Sequence, residues 1–215
     1  MDVVDRLRAA GCVFAEDEAR LLGDDEQLIA RRIAGERLEH VLGWTHFCGL
    51  RIEVDPGVFI PRPQTEELAE AAAELHPEIA LDLFAGTAAI ACVVKTRNPE
   101  ARVVAGELDP QALACARRNG NRYGVEVIAS DVDAGVPPEL EGRVDVITAN
   151  VPYVPTSELP FVPHEGEPAG ALDGGSDGDE WVRRVVACAP RWLRPAGVVL
   201  FEGPEGERVR AVRAG

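Results

Sequence analysis

Apolar positions recur at helical spacing along the first 35 residues. "DVVDRLRAA" (2–10) has Asp2 as a candidate N-cap and Gly11 as a stop; "EDEARLL" (16–22) and "DDEQLIARRIA" (24–34) follow, punctuated by Gly23 and Gly35. This segment predicts a few short helices. "LRIEVD" (50–55) alternates apolar and polar residues and predicts a strand. A proline-rich passage, "PGVFIPRPQTEEL" (56–68), leads into an Ala/Glu-rich helix over 65–75, with Thr65 as its candidate cap. From His76 the rhythm changes. "IALDLF", "ARVVAGEL", "VEVIAS", "VDVITAN" and "GVVLFEG" are short apolar runs that predict strands; "AAIACVVKTR", "DPQALACARRNGNRYG" and "EWVRRVVACAPRWL" between them predict helices. In the second helix Asp109 is the expected N-cap and Pro110 the first helical residue. This alternation predicts a doubly wound, mostly parallel α/β sheet of about five strands. Residues 163–179 predict a Gly/Asp/Pro-rich loop, and no hairpin is apparent after Glu202. Three regions follow: an N-terminal helical region (1–50), a linker strand and helix (51–75), and the α/β domain (76–215).

Composition narrows the partners. The 215 residues are 46% hydrophobic but only 5% aromatic, so Ala, Val and Leu fill most of the core. The net charge of −15 repels phosphates and favours basic proteins or neutral small molecules; direct nucleic-acid binding is not expected. Five cysteines without a CxxC pair fit a reduced, cytoplasmic compartment, and no spacing of His40, His46 and Cys48 matches a metal site. No apolar run is long enough to span a membrane.

In an open α/β sheet, ligands bind beyond the carboxyl ends of the strands. Three features fall there in chain order. Gly86 centres the strand-to-helix turn "LDLFAGTAA" (81–89), where backbone can approach a ligand. Glu107 ends the second strand, where a carboxylate can accept both ribose hydroxyl protons. Asp131 follows the third, where it can accept from an adenine amino group. Each alone reads equally as a turn or a solvated cap; their order on successive strands points to a nucleotide-like cofactor.

"LDLFAGTAAIA", "GELDPQALACARRN", "ASDV" and "ANVPY" resemble the motifs of class I S-adenosylmethionine-dependent methyltransferases, which have a Rossmann-like fold. "GERLEHVLGWTHFCGLRIEVDPGVFIPRPQTEELAE" and "EPAGALDGGSDG" are similar to blocks of the HemK/PrmC family of protein-(glutamine-N5) methyltransferases, which modify peptide chain release factors. The resemblance runs from about Gly35 to Glu202. It implies S-adenosylmethionine bound by Asp82, Phe84, Ala85, Gly86, Thr87, Glu107, Leu108, Asp131 and Asn150. It implies catalysis at Asn150, Val151, Pro152 and Tyr153, and substrate contacts from Phe59, Pro61 and Arg62. It implies a release factor, through its Gly-Gly-Gln loop, as the protein partner. The chain departs from the pattern in several places. Phe84 and Ala88 replace the usual first and third glycines of the cofactor turn, Val151 replaces the first proline of Asn-Pro-Pro-Tyr, and the terminal strand pair is truncated.

The tetrapeptide has a physical reading of its own. A planar N–H₂ group needs two acceptors to fix it. The Asn150 side-chain oxygen can supply one and the Val151 carbonyl the other, with Pro152 holding Val151 extended and the Tyr153 ring packing on the flat amide. Read alone, "ANVPY" is a strand end and a proline loop. Because such a clamp suits any planar N–H₂, an exocyclic-amine methyltransferase on nucleic acid is an alternative. Val151 and Ala88 also admit a non-catalytic S-adenosylmethionine-binding module. His164 stands close enough in sequence to be a candidate base, with Glu165 and Glu167 as solvated charges beside it.

Overall fold

A computed structural model of the chain describes residues 2–159, 168–202 and 210–213. Four short helices open it: α1 (Val3–Ala9), α2 (Ala15–Leu22), α3 (Glu26–Ile33) and α4 (Leu38–Leu42). The Asp2 and Asp25 carboxylates cap α1 and α3, accepting from N–H groups of the first turn. Leu7, Cys12, Ala15, Leu22, Ile29 and Val41 close a separate small core between these helices.

A hairpin of β1 (Trp44–Phe47) and β2 (Leu50–Glu53) follows. The alternation in "LRIEVD" marks β2, whereas "WTHF" carries too few residues to declare a period, so β1 is found only through its pairing. The hairpin straddles position 50, and its Phe47 and Ile52 are buried in the large core with Leu68 and Ala72 of α5 (Glu66–Glu74). Thr65 takes the N-cap position of α5 as expected but makes no side-chain cap: it also ends a 3-10 turn, Pro63–Thr65, and its hydroxyl is used elsewhere.

The remaining elements are β3 (Ile79–Leu83), α6 (Ala89–Arg97), β4 (Arg102–Glu107), α7 (Pro110–Tyr123), β5 (Glu126–Ala129), β6 (Val144–Ala149), α8 (Glu180–Trp192), β7 (Leu193–Phe201) and β8 (Arg210–Arg213). The sheet order is β5-β4-β3-β6-β7-β8, with the first five strands parallel. This is the doubly wound sheet that the alternation predicts, and the order reverses between β3 and β6, the place where such folds open a crevice. Asp109 caps α7 as expected, accepting from Gln111 N–H at 3.0 Å and Ala112 N–H at 2.8 Å, with Pro110 at the first position.

The C-terminus corrects the sequence reading. β8 runs antiparallel to β7, with Phe201 opposite Arg210, so a strand pair does form where no hairpin was apparent after Glu202. Four residues, "RAVR", are too short for periodicity to show, and it is the open edge of β7 that recruits them. Val103, Ala105 and Val146 face one helical layer through one core, and Leu81, Val104, Ile147 and the fully buried Trp192 face the other. Among the described residues no helix is long and apolar enough to cross a membrane, and no group of three His, Cys, Asp or Glu could hold a metal.

Candidate active site

A cavity of 520 Å³ opens where β3, β4, β5, β6 and β7 end. Its lining includes Phe84 and Gly86 after β3, Glu107 and Leu108 after β4, Asp131 after β5, Asn150 to Tyr153 after β6, and Glu202 after β7. Residues distant in sequence meet here because parallel strands present all their carboxyl ends on one edge.

The turn after β3 alternates left-handed residues: Phe84 (φ 60°), Gly86 (φ 56°) and Ala88 (φ 62°). Only glycine enters this region without strain, and each of the other two costs about 1 kcal/mol. The Phe84 ring packs edge-on against Trp181 at 5.5 Å, and Ala88 is fully buried at the start of α6, so packing offsets the strain. At Gly86 a Cβ would meet nothing within 4 Å and would stand in the cavity, which makes this the point of close backbone approach. The Gly86 N–H donates to Glu107 Oε2 at 2.7 Å, while Oε1 accepts from the N–H groups of Leu108 and Asp109 at 2.8 Å each. Burial pushes the Glu107 carboxyl above its ordinary range, opposed by these three donors. Both lone pairs of Oε1 are thereby engaged, and Oε2 keeps one that can accept from a ligand hydroxyl. Leu108, 60% exposed, offers the cavity an apolar surface beside it.

Asp82 is elsewhere than the resemblance implies. It is 2% exposed and does not line the cavity; Oδ1 accepts from the Thr148 hydroxyl at 2.7 Å and Oδ2 from the Ala91 N–H at 3.3 Å. It therefore ties β3 to β6 and to the first turn of α6, and burial pushes its pKa up to about 7. Thr87 is likewise buried, its carbonyl accepting from Asn119, and neither Ala85 nor Pro61 lines the cavity. These residues shape the turns that hold their neighbours. Asp131 does line it, but Oδ1 is engaged by Arg184 Nη2 at 2.9 Å. His164, Glu165 and Glu167 lie outside the described residues.

Asn150 and the three residues after it leave β6 into the cavity wall. Val151 is buried and Tyr153 is 41% exposed. A short ladder holds this segment: Val154 N–H donates to Leu172 O at 2.9 Å, Gly174 N–H to Val154 O at 2.8 Å, and Thr156 N–H to Gly175 O at 2.8 Å. The glycines of "LDGGSDG" permit that approach, since a Cβ on Gly174 would stand 2.7 Å from Tyr153 Cα and one on Gly178 2.6 Å from its carbonyl oxygen. Opposite, Arg62 and Phe59 face the cavity with the guanidinium 4.9 Å from the ring centroid. The Asn150 Nδ2 donates to the Thr65 hydroxyl at 3.4 Å, and that hydroxyl donates to Glu202 Oε2 at 2.8 Å.

Thr65, Glu202 and Trp181 are cavity residues that the sequence reading did not single out. Glu202 was within reach of the strand-end rule, which applies to β7 as it does to the other four strands. Trp181 has no such signal.

The methyltransferase small domain family model matches residues 50–160. A release factor glutamine methyltransferase of Mycolicibacterium smegmatis is 42% identical over 208 residues, 94% of this chain and 74% of that protein. The chain belongs to the release factor glutamine methyltransferase family. A second member, from Geobacter sulfurreducens, is 40% identical over 180 residues, 81% of this chain. The chain spans 63% of that relative's length and 74% of the first's, so it is shorter than the family members it matches. The fold is that of a solved methyltransferase from Pyrococcus furiosus, at a TM-score of 0.56 and 23% identity over 91% of this chain and 82% of that one. In this family member "IPRPQTEE" contributes one wall of the cavity through Arg62, Gln64 and Thr65, and "LDGGSDG" braces the opposite one.

Proposed function

We propose that the protein transfers a methyl group from S-adenosylmethionine to the side-chain amide nitrogen of a glutamine in a release factor. The observation that carries this reading is the shared cavity. The ribose-suited carboxylate of Glu107 and the open backbone at Gly86 face the same space as Asn150 to Tyr153. The lining residues fit the cofactor: Glu107 Oε2 keeps a lone pair for a ribose hydroxyl, Asp131 keeps lone pairs for an amino group, Leu108 and Trp181 offer apolar faces to its base, and Gly86 lets it lie against backbone.

When bound, S-adenosylmethionine supplies an electrophilic methyl on a sulfonium. The amide nitrogen is a poor nucleophile because its lone pair is delocalised into the carbonyl. The protein's task is therefore orientation. Asn150 Oδ1 accepts one amide N–H and the Val151 carbonyl the other, which fixes the amide plane and turns the face of the nitrogen to the methyl group. Pro152 restricts Val151 to extended backbone, so loss of the family's first proline costs rigidity and not the acceptor. The Tyr153 and Phe59 rings bound the flat amide and exclude water. No side chain has to act as a strong base, since the alkylated nitrogen sheds its proton to water.

Incubation with labelled S-adenosylmethionine and unmodified release factor, with Asn150→Ala in parallel, tests this. The expected outcome is one methyl on the glutamine of the Gly-Gly-Gln loop, located by mass spectrometry, and a loss of roughly 100-fold or more in the variant. Protein that binds the cofactor yet labels only an exocyclic amine of nucleic acid, or nothing, would overturn the assignment.

A further inference from the structure

Thr65 and Glu202 stand 137 positions apart in the chain and meet beside Asn150. Thr65 is 3% exposed, although its residue type is usually found at the surface, and its hydroxyl makes no helix cap. The chemistry of this contact has a direction. A hydroxyl carries one proton, and Thr65 donates it to Glu202 Oε2 at 2.8 Å, a carboxylate oxygen that only accepts. What the hydroxyl then offers Asn150 is a lone pair. Only the N–H₂ arm of the Asn150 carboxamide can meet a lone pair, and Nδ2 is the atom found there, at 3.4 Å. The carboxamide is planar, so its oxygen must then lie on the opposite arm. Among the described residues Asn150 Oδ1 has no protein partner, and Asn150 lines the cavity.

We infer that Thr65 and Glu202 are positioning residues that set the rotational sense of the Asn150 carboxamide. Glu202 fixes the direction of the Thr65 hydroxyl, and the hydroxyl fixes which end of Asn150 faces the acceptor. Without them the two flips of the amide are close in energy. In the wrong flip, N–H₂ faces the substrate's own N–H₂, and donor meets donor in a water-poor site. The chain thus stores one bit of information, the amide's orientation, in residues outside the tetrapeptide itself. This inference rests on Asn150 serving as an acceptor in the methyl-transfer reading above.

The test uses Thr65→Val, which keeps the volume and removes the hydroxyl, Thr65→Ser, which restores it, and Glu202→Gln. The expected result for Thr65→Val is a fall in kcat/KM of roughly 10- to 100-fold, carried by kcat, with S-adenosylmethionine affinity and Tm close to those of the parent. Thr65→Ser recovers most of the rate. Glu202→Gln falls between, because a glutamine can accept from the hydroxyl in one rotamer and donate to it in the other. In an Asn150→Ala background Thr65→Val changes nothing further. A loss of the same size in that background would overturn the inference, as would Thr65→Val with parental kinetics. A second readout needs no methyl acceptor. The Asn150 N–H₂ signals, assigned in ¹⁵N spectra by their absence from Asn150→Asp, should shift and exchange faster in Thr65→Val and Glu202→Gln. Unchanged Asn150 signals would overturn the inference. If no release factor is methylated but these signals move as expected, the substrate assignment fails and the positioning role stands.

Discussion

At the scale of single residues, Asp82 shows how burial changes what a carboxyl does. It is enclosed beneath the cofactor turn, with the Thr148 hydroxyl and the Ala91 N–H as its partners. Burial outweighs both donors and raises its pKa from 3.8 to about 7. Between these two values the native state holds a proton that the unfolded chain has released. The native state therefore binds more protons, and the Asp82 contribution to stability falls as pH rises through this window and is level above it. Asp82→Asn cannot titrate. The Tm of the parent minus that of the variant should fall on going from about pH 5 to about pH 7.5 and then stay constant. A difference independent of pH would show that Asp82 ionises in the native state as it does in the unfolded chain. Glu107, one strand away, is also raised by burial, but it keeps three backbone donors and a face on the cavity. The two acids differ because one opens on the cavity and the other does not.

At the scale of elements, the segment after β6 owes its shape to a partner segment and not to its own prolines alone. Three backbone hydrogen bonds join it to residues 172–175, and the Thr156 hydroxyl adds a fourth contact by donating to Asp173 Oδ1 at 2.7 Å. Trp181 Nε1 donates to the Asp173 carbonyl at 2.8 Å, which joins α8 to the same ladder. Gly174 is hemmed in by backbone on two sides. A methyl there would press on Tyr153 Cα at 2.7 Å and on Gly178 at 2.8 Å, and both obstacles are backbone. Gly174→Ala should cost about 1–3 kcal/mol of stability through overpacking. It should also raise KM for the methyl acceptor while leaving cofactor affinity near the parent's, because Gly86 and Glu107 follow or end other strands, β3 and β4. Titration calorimetry with S-adenosylmethionine and steady-state kinetics separate the two effects; an equal loss of both would mean that the loop supports the whole cavity.

At the scale of the whole molecule, the charge of −15 is a property of the surface field. Many of the arginines are already paired: Arg102 with Glu126 and Glu139, Arg118 with Glu53 and Asp55, Arg183 with Asp177. The acids outnumber the bases even so, and a field of that sign favours a basic partner over a phosphate-bearing one. The screening length falls from about 10 Å at 0.1 M salt to about 3 Å at 1 M. If a basic release factor is the acceptor, its KM should rise several-fold as salt increases over that range, with kcat unchanged. A KM that does not move with salt would mean that docking uses shape and apolar contact instead of the acidic field.

Much of this molecule is legible along the chain, and the reason is that those features are local. The alternation of strand and helix, the Asp109–Pro110 cap and the acids at strand ends each depend on neighbours a few residues away. The positions of Glu107, Asp131 and Asn150 on one edge follow from them once the strands are parallel. The sequence by itself therefore determined the doubly wound sheet, the edge that carries the site and the family resemblance. Only the tertiary structure decided what depends on contacts between distant segments. Asp82 lies under the site instead of lining it, because β6 brings Thr148 against it. Thr65 serves Asn150 instead of capping its helix, because β7 ends with Glu202 beside it. β1 and β8 are strands, because each has a partner edge that four residues could not announce alone. Periodicity records which face of an element is buried; it carries no record of which distant side chain a buried polar group will meet, and that pairing is where this site acquires its direction.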